Sequence, residues 1–277
     1  MAKALRISSR SYYNYKKGIH KSREEKVELI KQNIINVYFN SKGRYGASRI
    51  TAELCAHNTS ISQVTVAKYM SQMGISSKHG SKFRVATTDS NHSYYIAPNL
   101  LNREFDVDQA CKVWVSDITY IHTKEGFVYL TVVIDLYDRK VIGWSIRCDM
   151  TAENTTVKAL EMAIKNRKPN AGTIIHSDRG TQYACDAFAT LVKDNKLAQS
   201  MSRKGNCWDN AVAESFFKSL ITELVYGAIE ISSDEMKVEL FEYIEIWYNR
   251  NRRHSAIENK TIVEFWNDKF NIVNKVA

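Results

Sequence analysis

The sequence predicts a mixed α/β protein, a five-stranded sheet with flanking helices preceded by an all-α helix-turn-helix region. Three observations carry this. Basic charge is concentrated at the front: residues 1–84 hold 16 Lys+Arg against 4 Asp+Glu, and the remaining 193 hold 23 against 26. Apolar residues in that front recur at helical spacing. From residue 112 the texture changes to alternating, β-branched segments, three in a row and then interleaved with helical ones.

Taken in order, residues 24–39 place Val27, Ile30, Ile34, Ile35 and Val37 near helical spacing and stop at Asn40-Ser41-Lys42-Gly43. A second helix reads from Ala47 to His57. A third runs from Ser62, a cap, to Met73, with Gly74 ending it. The tight connection from His57 to Ile61 makes residues 41–74 a helix-turn-helix pattern, within a basic DNA-binding region over 1–84. Residues 85–110 have little periodicity and read as a linker. A core over 111–226 follows. Lys112–Thr123 alternates, Phe127–Tyr137 is rich in β-branched and aromatic residues, and Lys140–Arg147 completes an antiparallel meander. Then come a helix (Ala152–Lys165), a strand (Thr173–Ser177), a helix (Gln182–Asp194), a short strand (Ala198–Met201) and a helix (Asn210–Val225). A helical extension occupies 227–277, with a long helix from about Asp234 to Arg250.

Composition excludes several classes. With 277 residues, 44% hydrophobic, the chain can bury a core, and 11 Gly with 2 Pro exclude a collagen-like sequence. Five cysteines stand singly and seven histidines are dispersed, so neither a disulfide framework nor a zinc site is predicted. The charged N-terminus has no apolar stretch behind it, and the longest apolar patch, Val128–Leu136, is far too short to span a bilayer. A soluble, cytoplasmic protein is expected. A net charge of +9, concentrated at the front, points to phosphates as the partner.

Three carboxylates sit where local propensity would not put them. Strict alternation places Asp117 on the strand face of Val113, Val115, Thr119 and Ile121, where an ionised group costs several kcal/mol unless it is paired or solvated. Asp178 follows the apolar strand at its carboxyl end, where loops carry sites, although turn formation explains it equally. Glu214 shares a helical stripe with Ala211, Phe217, Ile221 and Leu224, which should face the sheet. Brought together, the three form an oxygen-only site suited to Mg²⁺ or Mn²⁺, and two such ions about 3.5–4 Å apart can drive an in-line phosphoryl displacement.

At these residues the chain resembles the DDE transposases and retroviral integrases, whose catalytic core is ribonuclease-H-like. Thirty-five residues separate Asp178 from Glu214, the spacing typical of that family. The strings VWVSDITYI, VVIDLYDRKVIGW, IIHSDRGTQY, SRKGNCWDNAVAESFFKSL and YNRNRRHSAI, with GRYGASRITAEL and TTDSNHSYYIAPNLLNREF upstream, are similar to the second-reading-frame transposase of the bacterial insertion-sequence-three family. The resemblance runs from about Leu5 to Phe265. It implies that Asp117, Asp178 and Glu214 bind two Mg²⁺ or Mn²⁺ ions, that one strand is cut at each end of a mobile element, and that the freed 3′ hydroxyl joins DNA by direct transesterification. It also implies double-stranded DNA (element ends and target) as substrate, a homo-oligomer on that DNA, and an upstream-reading-frame protein as partner or fusion. When bound to DNA, the protein is expected on the bacterial nucleoid.

Two departures from the family stand out. The position seven after Glu214, often basic in relatives, is Ile221, so Lys218 is the expected phosphate contact on a neighbouring face. Glu258 and Ile262 stand where relatives often carry Gly and Pro. Arg250, Arg252, Arg253 and His254 close the long C-terminal helix and are read as DNA contacts, with macrodipole stabilisation the structural alternative. Asp209 reads as a cap, His176 as structural, Asn210 as part of the rim of the site, and Trp208 as either rim or packing. On residues alone, a DNA-binding regulator with an inert core and a nuclease that only hydrolyses stay open beside the strand-transfer enzyme.

Overall fold

The computed structural model describes residues 8–17, 19–78, 93–226 and 229–276, and the chain divides between residues 78 and 79 into two compact units. In the first, helices α1 (Ser9–Lys16), α2 (Ile19–Asn40), α3 (Ala47–Ala56) and α4 (Gln63–Gln72) are described. The first of these has no counterpart in the sequence reading. Ser62 caps α4 by accepting from the Thr65 N–H, and Gly74, at φ +67°, ends the turn that follows it. Ile34, Ile50, Leu54, Val66 and Met70 are buried, one stripe each from α2, α3 and α4. The helix pair α3 and α4 is thus held by the apolar spacing that predicted it.

The second unit is built on a five-stranded sheet of order β3-β2-β1-β4-β5: β1 Val113–Thr123, β2 Gly126–Asp135, β3 Val141–Arg147, β4 Ile174–Ser177 and β5 Ala198–Met201. Strands β1, β2 and β3 are an antiparallel meander, while β4 pairs parallel to β1 and to β5. Helix α5 (Lys158–Arg167, entered through a π-wound turn Glu153–Val157) supplies the crossover that parallel pairing demands. Helices α6 (Thr181–Ala184) and α7 (Asp186–Asp194) link β4 to β5; α8 (Ala211–Leu220), α9 (Ser233–Phe241) and α10 (Ile262–Val276) follow.

Alternation along β1 divides the core. Val113, Val115 and Ile121 join α8 (Ala213, Phe216, Phe217, Leu220) and α9 (Met236, Leu240) on one face. Trp114 and Ile118 join α5 (Ala159, Leu160, Ala163) and α7 (Phe188, Val192) on the other. Each large apolar side chain among these contributes roughly 1.5–3 kcal/mol by leaving water. Packing of α5 onto β3 is close: a Cβ on Gly143 would lie 2.1 Å from the Ala159 carbonyl oxygen.

Three features go beyond the sequence reading. The helix read as continuous from Gln182 breaks at Cys185, whose backbone is extended (φ −71°, ψ 156°). This lets Tyr183 pack edge-on against Phe188 and bond Ser116 Oγ at 2.8 Å. The described end of the expected linker, residues 93–110, is anchored to the core: Ala97 and Leu101 are buried, and the N–H groups of Leu100 and Leu101 both donate to Ser200 Oγ. The long C-terminal helix changes from α9 to a π-wound stretch, Glu242–Asn251. Beyond it α10 is fastened by Trp266 Nε1, which donates to Asp138 Oδ2 at 2.7 Å. Among the described residues no helix is long and apolar enough to cross a membrane.

Candidate active site

The site starts from strand register. Between β1 and β4, Val113 pairs with Ile174, Trp114 with Ile175 and Val115 with His176. The same parallel offset carried two residues further brings Asp178 alongside Asp117. Neighbouring strands lie about 4.8 Å apart, so two carboxylates at that offset are neighbours. Each is fixed by a backbone donor: the Ile118 N–H donates to Asp117 Oδ1 (2.9 Å) and the Gly180 N–H to Asp178 Oδ1 (2.9 Å).

Glu214 reaches them through the start of α8. Asn210 Nδ2 donates to the Ser116 carbonyl (3.0 Å), tying the helix to β1 one residue before Asp117, and Glu214 lies one turn further on. Burial first, then the carboxylate of Asp178, and more weakly that of Glu214, push the Asp117 carboxyl well above its usual range, against the Ile118 N–H. Burial also raises Glu214. Burial, then Asp117 and Asp178, raise the Tyr183 phenol.

The placement of Glu214 differs from expectation. It is exposed, because the stripe that meets the sheet is Ala213, Phe216, Phe217 and Leu220. Among the described residues no three His, Cys, Asp or Glu side chains are gathered as a ready ligand set. The donor chemistry nonetheless fits a hard divalent cation: the groups are oxygens, their mutual repulsion opposes ionisation, and a cation offsets it. Asn210 Oδ1, buried and without a hydrogen-bond partner, adds another oxygen on the residue that ties α8 to β1.

Other candidates separate cleanly. Ile221 is buried in the core, leaving no place there for a cation, whereas Lys218 and Arg250 are exposed. Arg252, Arg253 and His254, expected at DNA, are all buried and engaged within the fold. Arg252 donates through Nε (3.0 Å) and Nη2 (2.9 Å) to Glu223 Oε1. Arg253 forks onto Glu264 (2.8 and 2.9 Å), and His254 Nε2 lies 3.1 Å from the Tyr248 carbonyl. Burial outranks helix-end charge because Glu223 and Glu264 are folded against these arginines.

Asp209 is an anchor instead of the expected cap. Its buried carboxylate accepts from Arg203 Nε (2.9 Å) and Nη2 (2.7 Å), Arg103 Nε (2.7 Å) and Asn99 Nδ2 (3.1 Å). The Arg203 guanidinium foremost holds it well below the usual carboxylate range. His176, buried between Ser200 Oγ (2.8 Å) and Ser202 Oγ (3.1 Å), is pushed down to about 4 by burial and is structural. Trp208 is 68% exposed, so packing does not account for it. The roles of Glu223 and Asp209 were missed because each depends on arginines brought in by tertiary folding.

Comparison with known proteins follows the same division of the chain. Family models described as HTH-like domain and Integrase core domain match residues 24–83 and 108–207, and a second Integrase core domain model matches 195–261. Transposase InsF for insertion sequence IS3A of Escherichia coli (strain K12) is 38% identical over 257 residues, 92% of this chain and 88% of that protein. The transposase for insertion sequence element IS904 of Lactococcus lactis is 39% identical, over 88% of this chain and 95% of that protein. Among solved structures, a simian T-cell lymphotropic virus intasome chain aligns with a TM-score of 0.46 at 13% identity, covering 84% of this chain and 73% of that one.

Proposed function

The chain belongs to the insertion-sequence transposases with an integrase core, and on that premise we propose that Asp117, Asp178 and Glu214 are the carboxylates of its DNA strand-transfer site. The register that sets Asp117 beside Asp178, with Glu214 acting on the same charge, supports this most strongly. Asp117 and Asp178 are the fixed pair, each oriented by a backbone N–H. Glu214 completes the set from the exposed side of α8. These three would hold the divalent ions, two Mg²⁺ or Mn²⁺ on this reading, which would supply Lewis-acid stabilisation of the attacking and departing oxygens.

The reaction is a direct transesterification in which a 3′ hydroxyl forms a new phosphodiester as an existing P–O bond breaks. The chain contributes position and charge: Asn210 holds α8 against β1, and Lys218 and Arg250 meet phosphates. The substrates are the terminal repeats of the element and target DNA, bound by the helix-turn-helix region over 41–74 and the core over 111–226. The working form on this reading is a homo-oligomer on DNA, with an upstream-reading-frame product as a partner or as a fusion to this chain.

The test is an Mg²⁺ or Mn²⁺ assay on labelled oligonucleotides bearing the terminal repeats. Asp117→Asn, Asp178→Asn and Glu214→Gln each abolish cleavage and joining while retaining DNA. Wild-type-like joining by any one of them rejects its assigned role.

A further inference from the structure

One large aromatic on a loop beside the site is left mostly in solvent. Trp208 is 68% exposed, although it sits on a 3₁₀ turn, Cys207–Asn210, whose following residues Asp209 and Asn210 are buried. The loop that carries it is fastened at both ends to the strands of the site. At its start the Ser202 N–H donates to the Ser177 carbonyl (2.9 Å), one residue before Asp178. At its end Asn210 Nδ2 donates to the Ser116 carbonyl (3.0 Å), one residue before Asp117. Between them the Asp209 carboxylate gathers Arg203 and Arg103, whose side chains stay 49% and 43% exposed. Lys204 is exposed in the same loop.

An outward aromatic face among half-exposed cations, on a loop fastened at both ends, is the combination that binds unpaired nucleotides, the cations tracking the backbone and the ring stacking on a base. We infer that Trp208 is the stacking platform for an unpaired nucleobase adjacent to the phosphodiester being cut or joined. Unpairing costs least at a DNA end, where a base has a stacked neighbour on one side alone and where strand transfer takes place. Stacking there fixes the 3′ nucleotide relative to Asp117 and Asp178. This inference rests on the site assignment proposed above.

The experiment uses the full chain and a duplex carrying the element's terminal repeat, with 2-aminopurine at the 3′-terminal nucleotide. Emission is read with Asp117→Asn as background, so no strand chemistry is needed. The expected results are quenching by the chain that keeps Trp208 and bright emission when Trp208→Ala is added to that background. In the otherwise wild-type chain, Trp208→Ala lowers joining about 10- to 100-fold and Trp208→Phe restores most of it, with unchanged melting temperature. Equal emission with and without Trp208, or full joining by Trp208→Ala, overturns the inference. So does an emission that is unchanged while Trp208→Ala alters the oligomeric state, which would give the indole to a second copy. Joining by Asp117→Asn itself would sink the site assignment, and the emission readout would still decide whether Trp208 stacks on a base.

Discussion

Replacing Arg252 by Met separates a structural arginine from a DNA contact. Arg252 and Glu223 are only 5% and 4% exposed, and Arg252 supplies the donors to Oε1, with Nη2 also donating to Ser219 Oγ (3.0 Å). After substitution Glu223 keeps the Tyr243 hydroxyl and Trp247 Nε1, both on Oε2 at 3.0 Å. A buried carboxylate left so costs about 3–5 kcal/mol. At roughly 2–4 °C per kcal/mol for a unit of this size, the melting temperature falls by roughly 6–20 °C. Adding Glu223→Met removes the stranded charge and recovers most of that loss, within about 1–2 kcal/mol of wild type. Thermal melts of the four proteins of the cycle measure this. The salt dependence of DNA binding, measured below the melting range, keeps its slope. If Arg252→Met melts like wild type while the slope drops by about one, Arg252 contacts a phosphate and the reasoning is wrong.

The remaining predictions concern three other contacts. Lys218→Ala, on an exposed face, lowers the salt slope by about one with an unchanged melting temperature. Gly143→Ala forces a methyl to 2.1 Å from the Ala159 carbonyl oxygen and 2.7 Å from the Ala163 amide nitrogen unless the backbone shifts. It costs about 3 kcal/mol in a denaturant titration. Asp209→Asn costs about 2 kcal/mol at neutral pH by weakening charged hydrogen bonds to half-exposed arginines. Because the Asp209 carboxyl is held low in the fold, its contribution is present above the unfolded value of about 4 and is lost as pH falls through the folded one. Denaturation from about pH 7 down to about pH 2 should therefore show the gap between wild type and Asp209→Asn closing only in acid.

The strands were legible because alternation and β-branching are local: the sequence reading of Ala198–Met201 coincides with β5, and Lys112–Thr123 differs from β1 by one residue. Asp117 could be assigned to its face because parity is fixed within a strand, and Val113, Val115 and Ile121 share that face in the fold. Helix orientation was less legible. Glu214 shares a stripe by spacing with Phe217 and Ile221, which are buried, yet Glu214 itself is exposed because the buried face of α8 is centred on Ala213, Phe216, Phe217 and Leu220.

By itself the sequence determined the order of elements, the basic front and the three acids with their spacing, all properties read along the chain. Tertiary structure alone decided which charges are spent inside. Arg252 and Glu223, 29 residues apart, neutralise each other in the core, whereas the one Asp209 carboxylate is shared by Arg203 and by Arg103, 106 residues away, both of which stay half exposed. A charge pattern cannot distinguish a cation offered to phosphate from one already paired, since that depends on which distant carboxylate the fold carries to it and on how much water is excluded there.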